Sequence, residues 1–156
     1  LIENNINVVR QNNLQVIWAT GKKYGKDAGK LEEERRNVWS NAFVDRMEYA
    51  YEAADIVVSR AGAMAIAEFC IVGKPVIFVP YPFAAEDHQT ANVMSLVNKN
   101  AALMVKDEDV NEQLMPTLLK LVKDENLANE LTQNITEMAN TNADEIIATE
   151  VLKNVQ

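Results

Sequence analysis

Apolar residues alternate between two spacings along this chain. Ile2, Ile6 and Val9 recur at i, i+4 and i+7, which predicts an opening helix with one apolar face. Leu14–Ala19 (LQVIWA) is a short continuous apolar run and predicts a buried strand, closed by Thr20-Gly21. Lys22–Arg36 is charged and partly helical in pattern. A second short strand falls within Asn37–Phe43, and Met47–Ala53 predicts a short helix. Ile56–Ser59 (IVVS) is a third strand. Ala63–Val72 is a helix that ends at Gly73, a residue suited to the position just past a helix. Pro75–Val79 (PVIFV) is a fourth strand, leading into Pro80-Tyr81-Pro82. Asp87 is placed to cap a helix over Gln89–Lys99. Ala102–Val105 is a fifth strand. From Asn111 onward the pattern is helical, with apolar stripes at Leu114/Leu118/Leu121/Val122, at Leu127/Leu131/Ile135/Met138 and at Ile146/Ile147/Val151.

Strand and helix alternate, and the strands are apolar on both sides. That combination predicts one parallel sheet covered on both faces, an α/β domain of Rossmann-like, doubly wound type. Ligands in such sheets sit outside the carboxyl ends of the strands. The loops after Ala19, Phe43, Ser59 and Val79 are therefore the places to search, and in a continuous sheet the second and third lie side by side. A domain of this kind ordinarily opens with a strand and a glycine-rich turn. Here a helix comes first, so that first strand and its loop are expected upstream.

Composition narrows the function classes. The 156 residues suit a single domain, and 48% hydrophobic content supports a packed core. A net charge of -8 argues against a nucleic-acid partner. It leaves room for a small anion, because helix ends bind phosphate locally. Cys70 is the single cysteine and His88 the single histidine, so neither a disulfide nor a Cys/His metal site is expected. Cys70 reads as a small buried hydrophobe, and its lone thiol fits a reducing cytoplasm. No apolar run approaches the length of a membrane span.

Three loops carry candidate chemistry. The third strand runs through Ser59-Arg60-Ala61-Gly62-Ala63 straight into a helix. Small residues, with Gly62 freeing the turn, admit a ligand to backbone N–H groups at a positive dipole end. Glu68 follows five residues after Ala63, about 7–8 Å along the helix axis. That is a suitable distance for a carboxylate to take both hydroxyls of a ribose whose diphosphate sits at the helix start. The same residues also have structural readings: Gly62 for tight packing, Glu68 as a complement to the dipole, Arg60 as partner of a nearby acid. The second stretch, Val79–Asn92 (VPYPFAAEDHQTAN), offers His88, Gln89 and Asn92 beside stiffening prolines. Amides of this kind suit sugar hydroxyls, or His88 and Gln89 are solvated residues of a helix capped by Asp87. In the third, Asn41–Met47 (NAFVDRM), backbone groups at Phe43 and Val44 can pair with a base edge, with Phe43 or Met47 packed on its face. The alternative there is a core aromatic followed by a helix start.

Taken together, Ala54–Glu68 (ADIVVSRAGAMAIAE), Gly73-Lys74-Pro75, Pro80-Tyr81-Pro82 and Glu86–Asn92 (EDHQTAN) closely resemble the MurG family. That family comprises the UDP-N-acetylglucosamine:lipid-linked muramoyl-pentapeptide glucosaminyltransferases of peptidoglycan synthesis. The likeness is strong over residues 14–106 and extends to the tail in helical pattern only. It implies a two-domain GT-B glycosyltransferase of which residues 1–156 are the C-terminal, UDP-sugar-binding domain, the acceptor domain lying outside this chain. By the same likeness Val44 reads uracil with Phe43 and Met47 nearby, and the Ala63, Met64 and Ala65 amides face the diphosphate. Glu68 then holds the ribose diol, and His88 and Gln89 hold the N-acetylglucosamine hydroxyls. Arg60 begins the motif without an assigned ligand contact.

The implied reaction is an inverting single displacement without metal or cofactor, the lipid-linked acceptor reaching the site through the other domain. The resemblance also implies a cytoplasmic protein, peripheral on the inner face of the bacterial inner membrane. No catalytic residue is expected from this chain itself, His88 being the one weak candidate for a base. This sequence departs from the family pattern at Ala65 and Ala67, a stretch where many relatives carry a hydroxyl. Two other readings stay open: an epimerase of UDP-N-acetylglucosamine with the same fold, and a non-catalytic α/β binding module.

Overall fold

The computed structural model describes residues 2–22, 37–83 and 88–154. Within them the elements run α1 (Ile2–Gln11), β1 (Val16–Ala19), β2 (Val38–Asn41), α2 (Met47–Ala53), β3 (Val57–Ser59), α3 (Ala63–Val72), β4 (Val76–Phe78), α4 (His88–Val97), β5 (Leu103–Met104), α5 (Val110–Lys123), α6 (Glu125–Glu137) and α7 (Ala143–Lys153). A single 3-10 turn, Asp107–Asp109, leads into α5. The charged segment Lys22–Arg36, apart from Lys22, and the capping residue Asp87 lie outside the described residues.

Every strand pairing is parallel, as the apolar runs predict, but the strands form two sheets where one was expected. β1 pairs with β2, in register Val16 to Val38. β3 pairs with β4 and β4 with β5, so the second sheet runs β3-β4-β5. The doubly wound strand order is 3-2-1-4-5-6. Against it, β2-β1 supply positions 3 and 2, and β3-β4-β5 supply 4, 5 and 6. Position 1, at the centre, is filled by none of the described strands. Within each sheet the strand order and the parallel pairing are therefore those expected, and the order is divided at its middle.

This division changes burial. β4, the central strand of its sheet, is buried throughout. Among the described strands, β1 and β3 each have a hydrogen-bonded neighbour on one side only, and Ile17 and Val58 remain well exposed, contrary to the expectation of strands covered on both faces. The main core lies between α3, α4, α6 and the second sheet: Phe69, Cys70, Val76, Phe78, Val93, Leu96 and Ile135. On the other face of that sheet, Ile77, Val79 and Val105 pack against Leu114, Leu121 and Leu131 of α5 and α6. A third cluster joins Ile6 and Val9 of α1 to Val38 and Met115. Leu118 of α5 touches both this cluster and the second one, so α5 ties the two sheets together.

The helical stripes divide accordingly. Those of α5 and α6 are core, apart from Val122, which is exposed. The third is not: α7 buries no residue, and Ile146, Ile147, Val151 and Leu152 are all exposed. Gly73 ends α3 at φ +66°, returning its N–H to the Phe69 carbonyl at 3.0 Å. A β-carbon there would also lie 2.8 Å from Thr136 Oγ1 of α6. Both the backbone and the α3–α6 contact therefore call for glycine. Among the described residues no helix is long and apolar enough to cross a membrane.

Candidate functional site

The strand β3 ends at Ser59 and α3 begins at Ala63, with Gly62 as its N-cap. The first helical bond runs from the Ile66 N–H to the Gly62 carbonyl at 3.0 Å, and no side chain caps the turn. The amides of Ala63, Met64 and Ala65 therefore lack helical acceptors at the positive end of the helix dipole. Met64 is 84% exposed and Ala63 is exposed, while Ala61 behind them is completely buried. The turn is thus open in front and anchored behind.

Gly62 itself corrects the expectation of a freed backbone. Its φ of -64° and ψ of 145° are open to any residue. Nor does it serve tight packing, because a β-carbon there would meet nothing within 4 Å. What glycine provides is uncovered space in front of the helix amides, which is where a diphosphate would approach.

Glu68 lies on the same helix and is exposed, beside Tyr51 of α2. The Tyr51 hydroxyl is pushed above its ordinary value, first by burial, then by the Glu68 charge and a hydrogen bond to that carboxylate. The Tyr51 ring meets Phe69 edge-on at 5.6 Å between centroids. So α2 and α3 are stitched together at Tyr51, Glu68 and Phe69. This contact corrects the expected route by which the loop after β2 approaches the loop after β3. β2 pairs with β1 and not with β3, and the neighbourhood is made by α2 against α3 instead. Phe43 is 57% exposed with Lys22 Nζ 5.9 Å from its ring centre, so it is no core aromatic; Val44 and Met47 are half-buried.

The loop after β4 approaches from the other side. His88 and Gln89 open α4, and His88 is exposed. Gln89 is not a solvated first-turn residue. Its Oε1 accepts from the Tyr81 N–H at 2.8 Å and from the Ala61 N–H at 3.3 Å. Those two donors fix the amide's orientation, so Nε2 is its remaining, donor-only face. Arg60 pairs with an acid, as one of its readings has it; the acid is Asp107, just beyond β5. Its Nη1 also donates to the Val79 and Pro80 carbonyls, both at 3.3 Å. Neither this bracing, nor Tyr51 beside Glu68, is predicted from the sequence. Local spacing carries no signal for contacts between residues this far apart. Cys70 is on the buried face of α3, and burial raises its thiol above the ordinary range.

The structure thus brings Ala61, Gly62 and Gln89 into one junction, and sets Glu68 against α2. The loop holding Phe43 and Val44 adjoins the start of α2. A shallow depression lined by Lys120, Lys123, Asp124 and Glu125, where α5 meets α6, shares no residue with these loops.

The sequence profile of the glycosyltransferase family 28 C-terminal domain matches residues 1–149. The chain is 47% identical over 142 residues to the UDP-N-acetylglucosamine–N-acetylmuramyl-(pentapeptide) pyrophosphoryl-undecaprenol N-acetylglucosamine transferase of Parabacteroides distasonis, covering 90% of this chain and 39% of that protein. It is 44% identical over 150 residues to the transferase of the same description from Bacteroides fragilis, covering 94% of this chain and 40% of that protein. The chain therefore spans about two fifths of the length of the relatives it matches. Among solved structures, Acinetobacter baumannii MurG superposes with a TM-score of 0.79 at 26% identity, over 90% of this chain and 41% of that one. The glycotransferase of kitacinnamycin superposes with a TM-score of 0.62 at 25% identity, over 79% of this chain and 30% of that one. The parallel strands with flanking helices are thus a GT-B-like Rossmann fold, and the chain belongs to the glycosyltransferase family 28 C-terminal domain family.

Proposed function

We propose that residues 1–156 are the donor-binding domain of a two-domain glycosyltransferase that transfers N-acetylglucosamine from UDP-N-acetylglucosamine to a lipid-linked muramoyl-pentapeptide. The observation that carries this reading is the uncapped, uncovered N-terminus of α3 behind Gly62. The Ala63, Met64 and Ala65 amides take the diphosphate there. A surface helix end contributes about 0.3–1 kcal/mol toward an anion, and up to about 2 where partly buried. Glu68 accepts both ribose hydroxyls from further along the helix. Val44 reads the uracil through its backbone, with Phe43 and Met47 against the base. Gln89 donates its fixed amide N–H groups to a sugar hydroxyl oxygen, with His88 beside it.

In the reaction the acceptor's C4 hydroxyl displaces UDP at the anomeric carbon with inversion. Charge develops on the departing diphosphate, and the α3 amides stabilise it as it forms. The acceptor, and the base that takes its proton, belong to the rest of the protein. That protein is peripheral on the cytoplasmic membrane face. The names of the relatives support this choice of donor and acceptor over an epimerase or a non-catalytic module.

The test is titration calorimetry of the chain with UDP and UDP-N-acetylglucosamine, beside a transfer assay on the full gene product. Binding to the chain is expected to be weak and saturable. Glu68→Ala removes two hydrogen bonds to a charged group, each worth about 1.5–3 kcal/mol. Affinity is expected to fall at least tenfold. No UDP binding by the full product would overturn the reading, and undiminished affinity in Glu68→Ala would remove Glu68 from the site.

A further inference from the structure

We propose that Arg60 is a positioning residue that braces three strand ends and so holds the α3 N-terminus against the loop carrying Gln89. The inference rests on the donor site proposed above. Arg60 directly follows β3. Its guanidinium donates to the Val79 and Pro80 carbonyls at the end of β4, and to Asp107 beyond β5. Its Cζ also lies 5.7 Å from the Tyr81 ring centre.

These bonds close a circuit. The segment whose carbonyls Arg60 holds continues to Tyr81, whose N–H donates to Gln89 Oε1. That oxygen also accepts the N–H of Ala61, the residue next to Arg60. Ala61 is fully buried and is followed at once by Gly62 and the open turn. Arg60 therefore sets where the α3 amides stand relative to the Gln89 amide.

Global stability is a poor account of this arrangement. The Arg60 and Asp107 side chains are 53% and 36% exposed, and exposed ion pairs contribute little to folding. All three hydrogen bonds come from Nη1, and the guanidinium also lies beside the Tyr81 ring, so one cationic group ties these strand ends together.

The experiment measures UDP affinity, KM for the sugar nucleotide, kcat and melting temperature in the full gene product. The forms compared are the parent, Arg60→Ala, Arg60→Lys, Asp107→Asn and the Arg60→Ala/Asp107→Asn double variant. In Arg60→Ala, UDP affinity is expected to fall about tenfold and KM to rise in proportion. Its kcat should fall as well, because the α3 amides also stabilise the departing diphosphate, while its melting temperature should stay within a few degrees. Lysine should restore part of the loss. Asp107→Asn should weaken binding about threefold, and the double variant should be no worse than Arg60→Ala alone.

Parent-like affinity in Arg60→Ala would overturn the proposal, as would multiplied losses in the double variant. A fall in affinity that merely tracks melting would overturn it too. Tighter UDP binding in Asp107→Asn would mean that Arg60 serves the phosphate itself, and would also overturn the brace. If the parent fails to bind UDP, the donor-site reading fails and takes the brace with it. A failure confined to the variants' expected behaviour leaves the donor site standing.

Discussion

At the scale of residues, Glu68 and Tyr51 form a pair whose chemistry can be read by titration. Three influences favour the neutral phenol of Tyr51 in the fold: burial first, then the Glu68 charge and the hydrogen bond to it. An acid whose folded pKa lies above its unfolded value of about 10 stabilises the fold below pH 10. That contribution is lost as pH rises through the higher folded value. In Glu68→Gln two of the three influences weaken, so the Tyr51 titration is expected to move down toward the ordinary tyrosine range. Phenolate absorbance titrations of the parent, Glu68→Gln and Tyr51→Phe would show this, the last identifying which tyrosine moves. A curve unchanged by Glu68→Gln would break the pairing. The pairing bears on the donor site, because it sets the Tyr51 phenol beside the carboxylate proposed to take the ribose. Gln89 is a second residue with a settled orientation, fixed by two backbone donors.

At the scale of elements, α2 and α3 have the bounds that sequence pattern predicts, and the reason is local. The α3 helix starts after a small-residue turn and stops at a glycine that takes a left-handed φ, and both signals lie within a few residues of the ends they set. Gly73 carries a further load, against Thr136 of α6. Gly73→Ala is expected to destabilise the chain by about 1–2 kcal/mol from the left-handed backbone alone, with more from the 2.8 Å approach to Thr136 Oγ1. Denaturant melting of Gly73→Ala, alone and with Thr136→Ala, would separate the two contributions. A parent-like midpoint in the single variant would show that neither operates. Other features were not legible. Arg60 meets Asp107 across 47 positions, and the Gln89 bonds depend on where two loops meet. The apolar stripe of α7 has the same spacing as those of α5 and α6, so periodicity could not reveal that only the latter two are buried.

At the scale of the whole molecule, the divided sheet sets the strongest expectation. In a parallel strand successive N–H groups point to alternate sides. On β1, the Val16 and Thr20 N–H groups bond toward β2, so those of Ile17 and Ala19 face the opposite edge. On β3, the Val57 N–H bonds toward β4, so that of Val58 faces away. In the doubly wound order both edges would border the unfilled central position. Two such edges, carrying exposed Ile17 and Val58, suit insertion of one parallel strand between them, and the family resemblance expects that strand upstream. In a longer gene product the Ile17, Ala19 and Val58 amides are therefore expected to change from fast to slow hydrogen exchange. Val16 and Val57, already bonded, should be protected in both forms. UDP should bind the longer product more tightly as well, since the strand fixes β1 and β3 in one sheet. Fast exchange persisting at Ile17 and Val58 in the longer product would mean that the gap between the sheets is not a strand position. The loop after β1 would then have no fixed place beside the α3 turn.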